Sequence, residues 1–272
     1  MERDGPFHFE AAGQRLRAQW VGPARAHGGA QGEPCLVFLH EGLGSIGQWK
    51  GFPADLCRAL GLLGLVYERL GHGGSDPLPG ARPLDYLEIE GRAVLPEVLA
   101  ACAIDRPILV GHSDGGSIAL VYAATEPDRP RACVCLAAHV FVEEETLAGI
   151  RDVVARWRAG ELETRLARYH GANTRAMFHG WADAWLGPGF RDWNIEALLP
   201  RIVCPVLVIQ GANDEHATVA QVAAIAAGVT GPAERWVIPA CGHGPHLEAR
   251  ADVVARIARF LAPVLGAGGR TS

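Results

Sequence analysis

Six short, continuous apolar runs recur along the chain: CLVFLH (35–40), LGLVYE (63–68), PILVGH (107–112), ACVCLAA (132–138), PVLVIQG (205–211) and RWVIPA (235–240). Runs of this length without polar alternation fit strands covered on both faces, the environment of a parallel sheet. Between them lie stretches with helical spacing, notably 84–103, 114–126, 216–228 and 246–265. Strand and helix in alternation imply right-handed crossovers and an α/β fold. Ahead of the first run, FHFEAAGQRLRAQWVG alternates around an Ala-Gly pair and predicts an antiparallel hairpin.

The rhythm fails once. About 65 residues separate Ala138 from Val203, far too many for an ordinary connection. They carry helical character (EEETLAGIRDVVARWRAGELETRLARYHG) and clustered tryptophans. We read 139–201 as a helical insertion over one end of the sheet, with 1–138 and 202–272 as the core. A chain of 272 residues is long enough for one such core carrying one insertion. PARAHGGAQGEP reads as a loop and GAGGRTS as a frayed tail.

Hydrophobic residues make up 49% and charged residues 20% of the chain, a globular balance, and no apolar stretch reaches the roughly 18 residues that span a bilayer. The start, MERDGPFHFE, has neither a basic segment nor an apolar signal core, so a cytoplasmic protein is expected. Net charge is −5 and Lys50 is the single lysine; with arginines scattered, there is no electrostatic footprint for nucleic acid. The seven cysteines are odd in number, mostly within apolar runs and never spaced as CxxC. They read as small buried hydrophobes.

Gly111-His112-Ser113-Asp114-Gly115 fits G-x-S-x-G, directly after one apolar run and directly before a helical one. A strand that must turn sharply into a helix needs neighbours without a Cβ and leaves the serine exposed at the sheet edge. Its oxygen then lies near a helix N-terminus, where backbone N–H groups favour developing negative charge. An N-capping serine in a glycine-rich turn is the plainer alternative.

A serine nucleophile needs a base, and the base needs an orienting group. Asp214 follows PVLVIQG, and His243 follows RWVIPA in the glycine-flanked loop CGHGPH; the order Ser113, Asp214, His243 is the one this architecture requires. His246 competes as base, Glu215 as acid, and the end of ACVCLAA offers His139 instead. An anion hole would take one donor from the N–H of Asp114 and another from the loop FLHEGLGSIGQW, where Gly42 and Gly44 allow close backbone approach.

Taken together, FLHEGLGS, ERLGHGGSD, GHSDGG, GANDEH and CGHGPHLE resemble the α/β-hydrolase family, specifically its cap-bearing serine esterase branch. The resemblance spans nearly the whole chain. It implies a mostly parallel eight-stranded sheet flanked by helices, a helical cap after the sixth strand, and hydrolysis without a cofactor. Carried over residue by residue, it implies Ser113 as nucleophile, His243 as base, Asp214 as orienting acid, and the Gly42 and Asp114 backbones as anion hole. Many members have His-Gly where this chain has His40-Glu41, so the first donor falls at Gly42 or one residue away.

The insertion concentrates aromatic residues, with Trp181 and Trp185 on one helix face, and a cavity beneath them would be largely apolar. Trp181, Trp185, His139 and Phe141 are the expected substrate-facing residues; no metal site is expected, since the histidines lack ligand spacing. The expected reaction is hydrolysis of a carboxylic ester with a small to medium, apolar or aromatic acyl group. A carbon–carbon bond hydrolase of aromatic ring-fission products is the alternative within hydrolases, and a ligand receptor retaining the triad the alternative outside them. The expected partner is a small-molecule ester, with neither nucleic acid nor membrane, and a homodimer is left open. Glu41, beside the hole, is expected to pair with Arg69 of ERLGHGGSD and so stiffen the donor loop.

Overall fold

The computed structural model describes residues 5–23 and 33–266. Most of the PARAHGGAQGEP stretch and nearly all of the GAGGRTS tail lie outside the described residues, as do Met1–Asp4. Eight strands form one sheet: β1 (Phe7–Ala11), β2 (Gln14–Val21), β3 (Cys35–Leu39), β4 (Leu63–Glu68), β5 (Pro107–His112), β6 (Ala132–Leu136), β7 (Val206–Gly211) and β8 (Ala233–Ile238). Their order is β1-β2-β4-β3-β5-β6-β7-β8. β1 and β2 run antiparallel to their neighbours and every other pair is parallel. The hairpin closes through Ala12 and Gly13, both at positive φ (51° and 68°), as a two-residue turn with matched strand twist requires.

Among the described residues stand ten α-helices: α1 (Phe52–Leu60), α2 (Tyr86–Ile89), α3 (Leu95–Ala101), α4 (Asp114–Thr125), α5 (Glu144–Arg158), α6 (Glu163–His170), α7 (Thr174–Leu186), α8 (Ala220–Gly228), α9 (Pro245–Glu248) and α10 (Arg250–Gly266). Alternate residues of the parallel strands enter opposite faces. Ile108 and Val110 of β5 join α1 and α10 through Phe52, Leu56, Val253 and Ile257; Leu109 joins α4 and α8 through Ile118, Leu120, Val222 and Ile225. α4 lies against the middle strands, and every residue from Asp114 to Ala124 is buried. No helix among the described residues is long and apolar enough to cross a membrane.

Several expected boundaries shift: RWVIPA forms its strand two residues earlier, 84–103 divides into α2 and α3 around a π turn, and three others shift for local reasons. ACVCLAA stops as a strand at Leu136 because Ala137 takes φ 49°. The helix expected over 216–228 begins at Ala220, since polar side chains take up the backbone before it: Asp214 Oδ1 accepts from the His216 N–H at 2.8 Å, and Gln210 Nε2 donates to the Ala217 and Thr218 carbonyls. The 246–265 segment starts one residue early and divides at Ala249 into α9 and α10. Between β6 and β7 stand α5, α6 and α7, the last packed on the core through Phe178, Trp181 and Trp185.

Candidate active site

β5 ends at His112, and Ser113 turns the chain into α4 at φ 52°, ψ −119°, a region costly to a residue with a side chain. The surroundings hold it there. The Ser113 N–H donates to the Leu136 carbonyl at 2.9 Å, and its own carbonyl accepts from the amides of Gly116 and Ser117. A Cβ at Gly111 would meet the Gly115 carbonyl oxygen at 2.2 Å, and one at Gly115 would meet the Leu39 oxygen at 1.9 Å. The two glycines of G-x-S-x-G are thus demanded by close approach of three backbone segments.

The loops after β7 and β8 meet beside this turn. Asp214, its side chain fully buried, accepts from His243 Nδ1 at 2.8 Å through Oδ1, while Oδ2 has no protein partner. Burial raises the Asp214 pKa, and the His216 amide opposes that rise. Burial holds the His243 imidazole well below its ordinary pKa, with His112 adding to the effect, so the ring is neutral near pH 7. With Nδ1–H committed to a carboxylate, Nε2 carries the lone pair. The His243 backbone is gripped as well: its N–H donates to Glu215 Oε2 at 3.2 Å and its carbonyl accepts from His112 Nε2 at 2.8 Å. Glu215 therefore supports the loop while Asp214 holds the ring. His246 stacks on Trp49, Phe52 and His112, outside the cavity that His243 lines.

That cavity, about 300 Å³, has Ser113, His243, Gly42 and Asp114 in its wall, together with Trp181, Trp185 and His139. Four of the expected site positions thus meet three of the expected substrate-facing ones. Phe141 is the correction: it does not line this cavity, and its backbone instead bridges Asn194 and accepts from Gln221. Trp181 lies so close to Gly42 that a Cβ there would meet its Nε1 at 2.2 Å. Trp185 does more than pack. Its Nε1–H donates to Tyr86 Oη at 2.8 Å, and Tyr86 donates to Asp114 Oδ2 at 2.7 Å.

Arg69 completes that chain and corrects the expected ion pair. Its Nη2 lies 3.4 Å from Asp114 Oδ2 and donates to the Glu41 backbone carbonyl at 2.9 Å, so it reaches Glu41 through the main chain only. The Glu41 carboxylate, 25% exposed, pairs instead with His112 Nδ1 at 3.5 Å. The reason is geometric: Glu41 folds back over its own loop, within 2.4 Å of where a Gly44 Cβ would stand, and its carboxylate ends beside His112 at the turn before Ser113. Burial opposes the charge on each partner, but the pair prevails: the Glu41 pKa is lowered and that of His112 raised. Asp114, which the sequence offers as an anion-hole N–H, has its carboxylate held by buried Arg69 and Tyr86 from elsewhere in the chain. His112 was present in the G-x-S-x-G motif as its variable residue, where nothing local marks it; its importance comes from what approaches in space.

The sequence profile of the alpha/beta hydrolase family matches residues 36–257. The human protein named Serine hydrolase BPHL is 29% identical over 160 residues, which is 55% of this chain and 53% of that protein. The chain thus spans about half the length of the curated relatives it matches. Among solved structures, the 2-hydroxy-6-oxo-6-phenylhexa-2,4-dienoate hydrolase of Rhodococcus sp. strain RHA1 superposes with a TM-score of 0.78 at 15% identity, covering 94% of this chain and 98% of that one. A thermophilic esterase from Thermogutta terrifontis superposes at 0.70 with 21% identity, covering 96% and 99%.

Proposed function

The chain belongs to the alpha/beta hydrolase family, and from that premise we propose that it is a serine hydrolase cleaving carboxylic esters through an acyl-enzyme. Ser113 Oγ attacks the ester carbonyl carbon while its proton passes to His243 Nε2; Asp214 keeps Nδ1–H in place and stabilises the imidazolium. The carbonyl electrons move onto oxygen, which accepts from the N–H groups of Asp114 and Gly42. As the carbonyl re-forms, the alcohol leaves with the proton from His243. Water then repeats the sequence on the acyl-enzyme, releasing the acid and restoring Ser113. Residues 139–201 act as a cap whose Trp181 and Trp185 enclose an apolar or aromatic acyl group.

The observation that carries this reading is the bond of 2.8 Å from buried Asp214 to His243, whose ring lines the cavity that also contains the strained Ser113. The test is a fluorophosphonate label followed by a substrate panel. Labelling at Ser113, a burst on an activated ester and steady turnover afterwards are expected. Labelling at another residue refutes the assignment. Faster cleavage of ring-fission dienes than of esters moves the reaction to carbon–carbon bonds, and a burst without turnover makes the protein a receptor.

A further inference from the structure

Three buried polar atoms in the cavity wall lack a hydrogen-bond partner; one, His112 Nδ1, faces the Glu41 carboxylate, and the other two face no protein partner at all. His139, 2% exposed, follows β6, and its backbone is fixed from α4 by Ser117, whose Oγ donates to the His139 carbonyl at 2.6 Å. Its ring Nε2 lies 3.1 Å from the His216 carbonyl oxygen, which can only accept, so Nε2 carries the hydrogen. Nδ1 is left with a buried lone pair and no partner. Burial lowers the ring's pKa, with the His216 carbonyl opposing, and the imidazole stays neutral. Thr146, 1% exposed, stands in the first turn of α5, and its Oγ1 is also buried and unpartnered. Helical threonine hydroxyls commonly turn back onto a carbonyl of the preceding turn; this one does not.

Buried polar atoms are costly without a partner, and each needs a reason. Both here line the cavity that holds Ser113 and His243. We infer that His139 and Thr146 form a polar subsite for a hydroxyl group of the substrate, a few atoms from the scissile carbonyl. The inference deepens the esterase reading and rests on it. Nδ1 is a pure acceptor and requires a donor from the ligand; Thr146 Oγ1 both donates and accepts. A hydroxyl meets both demands. A ligand carboxylate would face the Nδ1 lone pair with its own, and would share the cavity with the ionised Glu41. Ile150, Val153 and Leu166 make the neighbouring wall apolar, so the class is a hydroxylated apolar ester.

The test compares esters matched in shape, with hydroxyl replacing methyl in the acyl chain in one series and in the alcohol in the other. In wild-type protein, kcat/KM for the hydroxylated member of one series is expected to exceed its partner by at least about tenfold. The same ratio is read without turnover from the Kd values of the matched esters for the Ser113→Ala protein by calorimetry. Thr146→Val should bring both ratios toward one and Thr146→Ser should restore them, a pattern that a packing role would not produce. Melting temperatures accompany each variant. Ratios at or below one in both series overturn the subsite, whatever the variants do. A preference that survives Thr146→Val and His139→Phe but disappears in Glu41→Gln overturns its assignment to these residues. Turnover that persists in Ser113→Ala strikes the esterase reading instead, and the Kd ratio then still decides the subsite.

Discussion

Ser113 and Trp185 line one cavity but are held there by different physics. Ser113 sits where a strand, a helix and the end of β3 approach within backbone contact, so its place follows from sheet order and three crowded peptide segments. Trp185 sits at the end of a helix between β6 and β7, and its place depends on one indole N–H, one phenol and one carboxylate from three separate elements. The strand-end wall is specified by chain geometry, the inserted wall by long-range polar pairing. The first wall is therefore expected to govern rate and the second to govern stability and choice of substrate.

Variants at the strand ends supply the largest expected effect. Ser113→Ala and His243→Ala should each lower turnover by roughly 10⁴–10⁶ with the melting temperature kept. His246→Ala should instead lower the melting temperature, because its ring packs on Trp49 and Phe52, with turnover falling less than about tenfold; the reverse ranking transfers the base to His246. Asp214→Asn should cost roughly 10³–10⁴ in kcat, since the acid orients without reacting.

Variants in the inserted wall sharpen the contrast. Trp185→Ala should destabilise by about 3–5 kcal/mol in thermal or urea unfolding. Tyr86→Phe, which strands the Trp185 N–H and takes one partner from Asp114, should cost about 1–3 kcal/mol. If either lowered kcat as far as Ser113→Ala while the fold survived, the two walls would not divide the work as described.

Glu41→Gln is the smallest effect and lies on the border between the walls. Turnover should stay within about tenfold, because the carboxylate pairs with His112 and the electrostatic part of one such contact is worth about 1.4 kcal/mol or less. The pH dependence carries the sign. The raised His112 pKa contributes stability in full below the unfolded value near 6.5 and loses it as pH rises through the folded value; the lowered Glu41 pKa contributes above about 4.3 and loses it as pH falls. The melting temperature of the wild type should therefore exceed that of Glu41→Gln most between about pH 4.5 and 6.5. The gap should narrow in alkali, and a gap that widens there would remove the ion pair from the account.

The same division explains what could be read from the residues alone. Apolar runs ended within two residues of the strands, and Asp214 and His243, singled out from the loops after two of those runs, meet at 2.8 Å, because both features depend on local pattern and connection order. The partner of Glu41 was not legible: Arg69 follows the neighbouring strand, but its charge meets Asp114, and His112 two residues before Asp114 takes the carboxylate instead. Phe141 was misplaced for a related reason, since its direction is set by a bridge to Asn194 more than fifty residues away. Thr146 left no mark at all, being one hydroxyl in an ordinary helical turn.

The enclosure of α4 has a further consequence for how activity is lost. Beyond its first turn, from Ile118 to Ala124, its residues are buried between the sheet and neighbouring helices, so small fluctuations bring little solvent to their amides. Deuterium uptake along this helix should proceed only through global opening of the fold. The backbone of Ser113 is thereby tied to the slowest-exchanging part of the molecule, and heat should abolish labelling at Ser113 at the same temperature at which those last protons exchange.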